Sequence, residues 1–554
     1  MAKKDYSKLE KDELLKVIEK LESSKKYGLV WEEEKEPEQV VLDCENNLPV
    51  FKEVSEKEIK NDSTKPTNIL IEGDNYNALT VLNYTHKEKI DVIYIDPPYN
   101  TGNKDFIYND KYIDLEDSFR HSKWLSFMSK RLRLARPLLS NNGVMFISIG
   151  EDEFAQLKLL CTEIYGEVNV EVMIWDKISD ASLAGSGKMK MTKRFRLDHE
   201  YVLVVYKNKE NIRFNKPNGD MILKNDYGNH DNDPRGDWIS SELCKSEKKS
   251  NPIGKNYYEI ITPSGRSLKR QWHYDLDTFS KLDNDKRIYW GDGAIIPRLK
   301  KFIQEGKNIT PSSILNRQGS TTTGNNEINN LGLAFNNPKP LSLIKWIIKI
   351  SEKENLTILD FFAGSGSTGH AVLSLNEEDS GDRSFILCTN NEENICSDVC
   401  YPRIRNVIEG YETPEGNKVE RLGGNLKYYK TDLIPVESIH KIKDSQRHEL
   451  SVKAGQMIAI KENTFKDVEV NEWFQLYENE TKSRQTAIYF REDMDQFENL
   501  VHKIDKKKTT LYIFSYSRVD KNIFNYLAKN IIVEDIPEPI LEIYKEINST
   551  INSK

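Results

Sequence analysis

Two series of short apolar runs alternating with helix-like stretches, kept apart by a long aperiodic segment, limit what this chain can fold into more than any other feature. Asn68–Glu72, Asp91–Ile95 and Val144–Ile149 are β-rich runs of the kind that form strands buried on both faces of a parallel sheet. Ser122 to Leu139 and Asp152 to Tyr165 carry helical spacing, a turn is expected at Asn141-Asn142-Gly143, and Tyr201 to Tyr206 reads as a further strand. From Lys207 to Asn330 the periodicity dissolves into polar sequence rich in Gly, Pro, Asn and aromatic residues. Alternation then resumes with a helix near Leu341 to Ser351, a strand Thr357–Phe361, a glycine-rich turn, a helix and a strand Ser384–Cys388. The α/β pattern predicts one doubly wound, Rossmann-like sheet interrupted by an inserted domain.

A chain of 554 residues needs several domains, and changes of pattern place the boundaries at 1–66, 67–206, 207–330, 331–430 and 431–554. Leu9, Leu14, Leu15, Ile18 and Leu21 recur at helical spacing, which predicts an amphipathic helix that packs on its own chain or on another subunit. Val40 to Pro66 reads as an irregular connector, and the region after 430, with a strand at Lys508–Phe514, as a separate accessory domain.

No apolar run approaches the roughly 18 residues that a membrane span requires, and the N-terminus leads into charged sequence rather than a signal core. A cytoplasmic location without a membrane partner is expected. The six cysteines are expected as free thiols; Cys388, Cys396 and Cys400 lack a Cys-x-x-Cys pair and an adjacent His, so no metal site is expected. Net charge is -8, yet Ser186 to Lys301 holds roughly 24 basic against 16 acidic side chains, so a basic middle sits between acidic flanks.

Two stretches carry chemistry. Asp360-Phe361-Phe362-Ala363-Gly364-Ser365-Gly366-Ser367-Thr368-Gly369 lies between a buried strand and a helix, where glycines let backbone approach a ligand and the helix N-terminus presents N–H groups. It contains G-x-G-x-x-G, so a dinucleotide, S-adenosylmethionine and a purely structural turn all remain open. Asp96-Pro97-Pro98-Tyr99 directly follows a buried strand. Its prolines fix φ and remove two backbone donors, leaving carbonyls held outward. The Asp96 carboxylate and Pro97 carbonyl can accept both hydrogens of an exocyclic amino group, and Tyr99 offers a face for a base. Taken alone, the tetrapeptide reads first as a strand-terminating turn.

Together the two stretches resemble the paired D-P-P-Y loop and F-x-G-x-G turn of the DNA amino-methyltransferases. Their order, catalytic loop first and glycine turn after an insertion, is similar to the permuted β class. Phe335-Asn336-Asn337-Pro338-Lys339-Pro340 resembles the F-x-x-P-K-P element that helps close the donor pocket. Gly73-Asp74-Asn75 with Ala78-Leu79, and His199-Glu200-Tyr201, resemble further elements of that class. Lys26 to Glu32, Phe106 to Asp110, Asp233-Pro234-Arg235-Gly236 with Trp238, Lys453 to Gln456 and Asn463-Thr464-Phe465 look like the modification (Mod) subunits of type III restriction systems.

That resemblance implies transfer of a methyl group from S-adenosylmethionine to N6 of a flipped adenine, with Asp96, Pro97, Pro98 and Tyr99 catalytic. It implies donor contacts from Asp74, Phe335, Lys339, Pro340 and Asp360 to Thr368. The family's acidic ribose ligand at the end of the next strand is missing, since Cys388 stands there, and Glu392 is the nearby substitute. Residues 67–206 and 331–430 would be the two parts of the catalytic core and 207–330 the target-recognition domain. Lys188, Lys190, Lys193, Arg194, Arg196 and Arg235 are candidate DNA contacts. Implied partners are double-stranded DNA, a second copy of the chain, and a restriction (Res) helicase-nuclease subunit. The competing readings are a nicotinamide or flavin oxidoreductase, a non-catalytic DNA-binding subunit, a cytosine-N4 methyltransferase and a solitary methyltransferase.

Overall fold

Ile90–Ile95 and Thr357–Asp360 are largely buried, with Ile, Val and Leu in their interiors, as strands covered on both faces must be. In the computed structural model they lie side by side at the centre of one large sheet. The structure describes residue 31 and residues 37–552, apart from 63, 104, 179–194, 196, 217–227, 292–295, 303–309, 317, 352–354, 492–493, 505 and 517. The expected helix at Leu9 to Leu21 lies outside the described residues. Residue contacts divide the chain into two compact units, one built from the chain up to Arg213 and from Ser312 onward, the other from Phe214–Pro311.

The first unit holds the large sheet. Its main strands are β1 (Asn47–Glu53), β2 (Thr67–Glu72), β3 (Ile90–Ile95), β4 (Leu139–Ile149), β5 (Val170–Asp176), β6 (His199–Tyr206), β7 (Thr357–Asp360), β8 (Ser384–Thr389) and β9 (Asn425–Pro435). Across the sheet they run β1, β9, β2, β8, β7, β3, β4, β6, β5, ending at a short strand Ile314–Leu315. The block from β9 to β4 is parallel, whereas β1 is antiparallel to β9, and β6 is antiparallel to both β4 and β5. Helices Asn75–Thr85, Arg120–Ala135 and Ser367–Asp379 connect successive parallel strands. The doubly wound α/β expectation therefore holds for the centre, with a mixed sheet at both margins.

Several expectations differ from the structure. The supposed turn at Asn141-Asn142-Gly143 lies inside β4. Leu139 pairs with Ile90 and Val144 with Val92, and the register shift between them absorbs the polar residues as a bulge. The segment taken as an irregular connector contains β1, whose buried Leu48, Val50 and Phe51 pack under the helix Asp444–Glu462. Its partners lie hundreds of positions away, so local pattern could not reveal it.

The C-terminal region is not separate. It has a five-stranded sheet of its own, running from Lys466–Val470 to Ile531–Ile536, but Asp444–Glu462 and Glu538–Asn552 pack against Asn75–Thr85 in one continuous hydrophobic core. The Tyr544 hydroxyl donates to the Pro49 carbonyl at 2.6 Å. Because all of Asn75–Thr85 is buried between these layers, it lacks the polar face of a surface helix.

The insertion is narrower than 207–330. Residues 312–330 belong to the first unit, where Ile314–Leu315 pairs with β5. The second unit has a three-stranded sheet of Trp238–Glu242, Arg298–Phe302 and Ile288–Tyr289, and a hairpin of Tyr257–Ile261 with Ser267–Gln271. Its own core includes Leu243, Trp272, Phe279 and Leu299. Among the described residues no helix is long and apolar enough to cross a membrane.

Candidate active site

Register places the two sequence motifs together. Ile358 pairs with Val92 and Leu359 with Ile93 in parallel, so Asp360 and Asp96 leave the sheet at the same edge from adjacent strands. This is where open α/β sheets bind ligands, beyond the carboxyl ends of the strands.

Asp96 meets a lysine 243 positions away. Lys339 Nζ lies 2.7 Å from each Asp96 carboxylate oxygen and 3.6 Å from Glu200 Oε2. Tyr99 donates its hydroxyl to Glu200 Oε2 at 2.8 Å, and Lys177 Nζ lies 3.2 Å from Glu200 Oε1. Lys339 also stands 5.0 Å from the centroid of the Tyr99 ring. Burial raises the Asp96 pKa above its ordinary value although Lys339 opposes the rise. Burial also works against the Lys339 ammonium, but the charges of Asp96 and Glu200 outweigh it, and the net shift is upward. Glu200 is pushed up by burial and pulled down further by Lys339 and Lys177, so its net shift is downward.

The loop is anchored behind this face. The fully buried Trp124 donates its indole N–H to the Pro98 carbonyl at 2.7 Å. Asn100, at φ 56°, donates to Glu153 Oε1 at 2.5 Å, and His121 Nδ1 lies 2.7 Å from the same oxygen. Desolvation pushes the Glu153 carboxyl up to about 8.

The glycine turn is ordered from within. Asp360 Oδ2 accepts from the Thr368 hydroxyl at 2.5 Å and Oδ1 from the Phe362 N–H at 3.0 Å, while burial raises its pKa to about 7. Gly364 and Gly366 have φ of 48° and 79°. A Cβ on Gly364 would stand 3.2 Å from the Phe335 ring, and one on Gly366 would stand 3.1 Å from Cys400 Sγ. Gly366 opens the helix Ser367–Asp379 without a side-chain cap, which leaves the first N–H groups for another partner. The buried Arg403 donates from Nη1 to the hydroxyls of Ser365 at 3.0 Å and Ser367 at 2.8 Å. Those two side chains therefore brace the turn. Phe361 is buried in the core, and its carbonyl accepts from Asn75 at 2.9 Å, so neither its ring nor its carbonyl faces a ligand as the sequence reading expected.

Asp74 and Glu392 follow neighbouring strands, β2 and β8, beside β7. Asp74 caps Asn75–Thr85 through the Tyr76 N–H at 2.6 Å and lies 3.4 Å from Arg131. Glu392 is raised by partial desolvation, and the Asp74 charge adds to the rise, so the two carboxylates share one region. Cys388, which stands where the family has an acid, is buried and directs its sulfur at the Gly73 carbonyl. Pro340 is buried at the start of Leu341–Ile350.

Glu200, Lys177, Trp124, Arg131 and Arg403 were not singled out from sequence as site residues. Only Glu200 carried a signal, as part of His199-Glu200-Tyr201. Lys339, expected at the donor, pairs in the structure with the Asp96 carboxylate. Arg235, a candidate DNA contact, forks onto Asp233 at 2.9 Å through two nitrogens and stacks on Phe302 within the second unit, so its guanidinium has an intradomain task. Lys188, Lys190, Lys193, Arg194 and Arg196 lie outside the described residues.

Residues 90–399 match the family model for DNA methylase, N6_N4_Mtase, a span that includes the Asp96 loop, Glu200, Lys339, the glycine turn and Glu392. The StyLTI Mod subunit, a type III restriction-modification enzyme of Salmonella typhimurium, is 36% identical over 348 residues, covering 58% of this chain and 52% of that protein. The EcoP15I Mod subunit of Escherichia coli is 31% identical over 407 residues, covering 61% of each. The chain thus spans about half to three-fifths of the length of these two relatives. The type II methyltransferase M.KpnI of Klebsiella pneumoniae is 30% identical over 385 residues, covering 65% of this chain and 90% of that protein. With the catalytic loop and glycine turn adjoining at one sheet edge inside the matched region, the chain belongs to the DNA methylase family.

Proposed function

We propose that this protein methylates N6 of an adenine in double-stranded DNA, with S-adenosylmethionine as donor, as the modification subunit of a type III restriction-modification system. The observation that carries the reading is the adjacency of the Asp96 loop and the Gly364–Gly366 turn on paired strands β3 and β7. An amino-group acceptor and a backbone cradle thereby leave the sheet at the same edge.

The cradle fits the donor. Both glycines adopt left-handed backbone, the following helix starts uncapped, and Phe335 lies against the turn. Phe362, Ala363, Gly364, Gly366 and the N-terminus of Ser367–Asp379 would hold it, with Asp74 and Glu392 as the acids within reach of its ribose hydroxyls. The donor supplies a methyl group already activated on a sulfonium. The chain's own task is alignment. Asp96 and the Pro97 carbonyl accept the two amino hydrogens and leave the nitrogen lone pair directed at the methyl carbon, while Tyr99, tied to Glu200, stacks on the everted base.

Residues 214–311, a compact unit with its own core, would read the DNA sequence. Double-stranded DNA, a second copy of this chain and a restriction subunit are the partners of this reading. Asp rather than Ser before Pro97 favours adenine over cytosine N4.

The test is nucleoside analysis of plasmid DNA incubated with purified protein and labelled methyl donor. N6-methyladenine supports the assignment, and N4-methylcytosine would replace it with the neighbouring chemistry. Incorporation by neither route would end it.

A further inference from the structure

Lys339 occupies two places that a flipped purine needs. Its ammonium lies 2.7 Å from both oxygens of Asp96, where the amino group would dock, and 5.0 Å from the centre of the Tyr99 ring, where the base would stack. A second carboxylate is already within ion-pair reach, since Glu200 Oε2 is 3.6 Å away, and the same oxygen accepts the Tyr99 hydroxyl at 2.8 Å. Lys177 neutralises the other Glu200 oxygen from 3.2 Å. Two carboxylates and two ammonium groups therefore form one partly buried cluster.

We propose that Glu200 is a positioning residue that receives Lys339 when the target amino group takes over Asp96. This rests on the methyltransferase reading above. A shift on the order of 1 Å converts the 3.6 Å approach into a charge-assisted hydrogen bond, and the flexible lysine stem permits it. Until Asp96 takes up a proton the cluster keeps its charge balance, and Lys339 has a carboxylate partner before and after the shift.

Proton balance gives the transfer its purpose. As the N6 nitrogen bonds to the methyl carbon and the carbon–sulfur bond breaks, sulfur leaves as a neutral thioether and nitrogen gains the positive charge. The nitrogen must then lose one proton, and Asp96 is the carboxylate hydrogen-bonded to it. Were Lys339 still on Asp96, that protonation would strand the ammonium. With Lys339 on Glu200, Asp96 takes the proton at no such cost and passes it to water as the product leaves.

The experiment compares Glu200→Gln, Lys339→Met and the double variant on an oligonucleotide carrying the mapped methylation site. Glu200→Gln is expected to slow kcat by at least about tenfold, because Lys339 has no second carboxylate, while donor Kd by calorimetry stays within about twofold. The double variant is expected to be faster than Glu200→Gln alone, because removing the lysine unlocks Asp96. A second readout uses no donor. The unaltered protein should bind the adenine-containing site more tightly than one with purine, which lacks the amino group, and Glu200→Gln should lose that preference. A double variant as slow as Glu200→Gln, or an adenine preference retained in Glu200→Gln, overturns the proposal. If the unaltered protein binds donor and transfers methyl groups in either case, the failure belongs to this inference alone; if it does neither, the methyltransferase reading falls and this inference with it.

Discussion

The indole N–H of Trp124 donates to the carbonyl of Pro98 at 2.7 Å, tying the middle of the catalytic loop to a fully buried side chain on the helix Arg120–Ala135. Proline at 98 has no N–H of its own, so this carbonyl is the one backbone group through which it can hydrogen-bond to the core. Trp124→Phe keeps an aromatic ring, though a smaller one, and removes the donor. Losing a buried hydrogen bond costs about 1–3 kcal/mol. Single-turnover methyl transfer should slow by about tenfold or more, with donor Kd unchanged, because the glycine turn is untouched.

Asp96→Ala removes the acceptor of the amino group and leaves Lys339 without its nearest carboxylate. Methyl transfer is expected to fall by at least roughly a thousandfold, whereas the donor turn on the neighbouring strand keeps its Thr368–Asp360 brace. Calorimetry should find donor affinity within about twofold of the unaltered protein. Transfer at a near-normal rate would remove Asp96 from the mechanism.

Gly366→Ala places a Cβ 3.1 Å from Cys400 Sγ at a φ of 79°. Holding an L-residue there costs of the order of 1–3 kcal/mol. The turn must move to relieve the strain, so donor Kd should rise by about tenfold or more, and the unfolding midpoint should drop. DNA binding without donor is the control that should remain.

Glu153 imposes a pH dependence on stability. Its carboxyl ionises near 4.5 when unfolded and near 8 when folded, so across that window the native state keeps a proton that the unfolded chain has released. The contribution of this group to stability is complete below about pH 4.5 and declines as pH rises towards 8. Glu153→Gln should remove that decline. Urea midpoints at several pH values, taken as the difference between the two proteins, should show the variant gaining steadily across the window; a flat difference refutes the assignment.

Arg235→Ala should weaken the second unit rather than alter which DNA sequence is modified. Asp233 would lose a bidentate partner at 2.9 Å, a cost of about 1–3 kcal/mol. The measurements are the thermal unfolding midpoint, expected to fall, and the methylated sequence mapped in cells, expected to stay the same.

What could be read in advance was the chemistry written into the backbone. Pro97 and Pro98 constrain φ, Gly364 and Gly366 permit the left-handed region, and both effects act within a few residues of the chain. Lys177 and Trp124 escaped notice, and Glu200 was seen only as part of His199-Glu200-Tyr201, because each acquires its role from a partner supplied by folding. Lys339 was noticed, but its pairing with Asp96 was not legible for the same reason, since that carboxylate lies 243 positions earlier. Likewise the apolar residues of β1 find their cover in Asp444–Glu462, which made a strand look like a connector and a fused C-terminal layer look like an independent domain.

β3 and β7 are neighbours in the sheet although Thr357 N and Asp91 Oδ2, which hydrogen-bond at 3.1 Å, stand 266 positions apart. At roughly 5–20 residues per second of synthesis, the strand that ends in Asp96 emerges from the ribosome about 13 to 50 seconds before its neighbour. For that interval one edge of β3 carries backbone N–H and C=O groups with no parallel partner, an opening for aggregation. Every newly made copy therefore passes through a stage at which the Asp96 loop exists and the glycine turn does not.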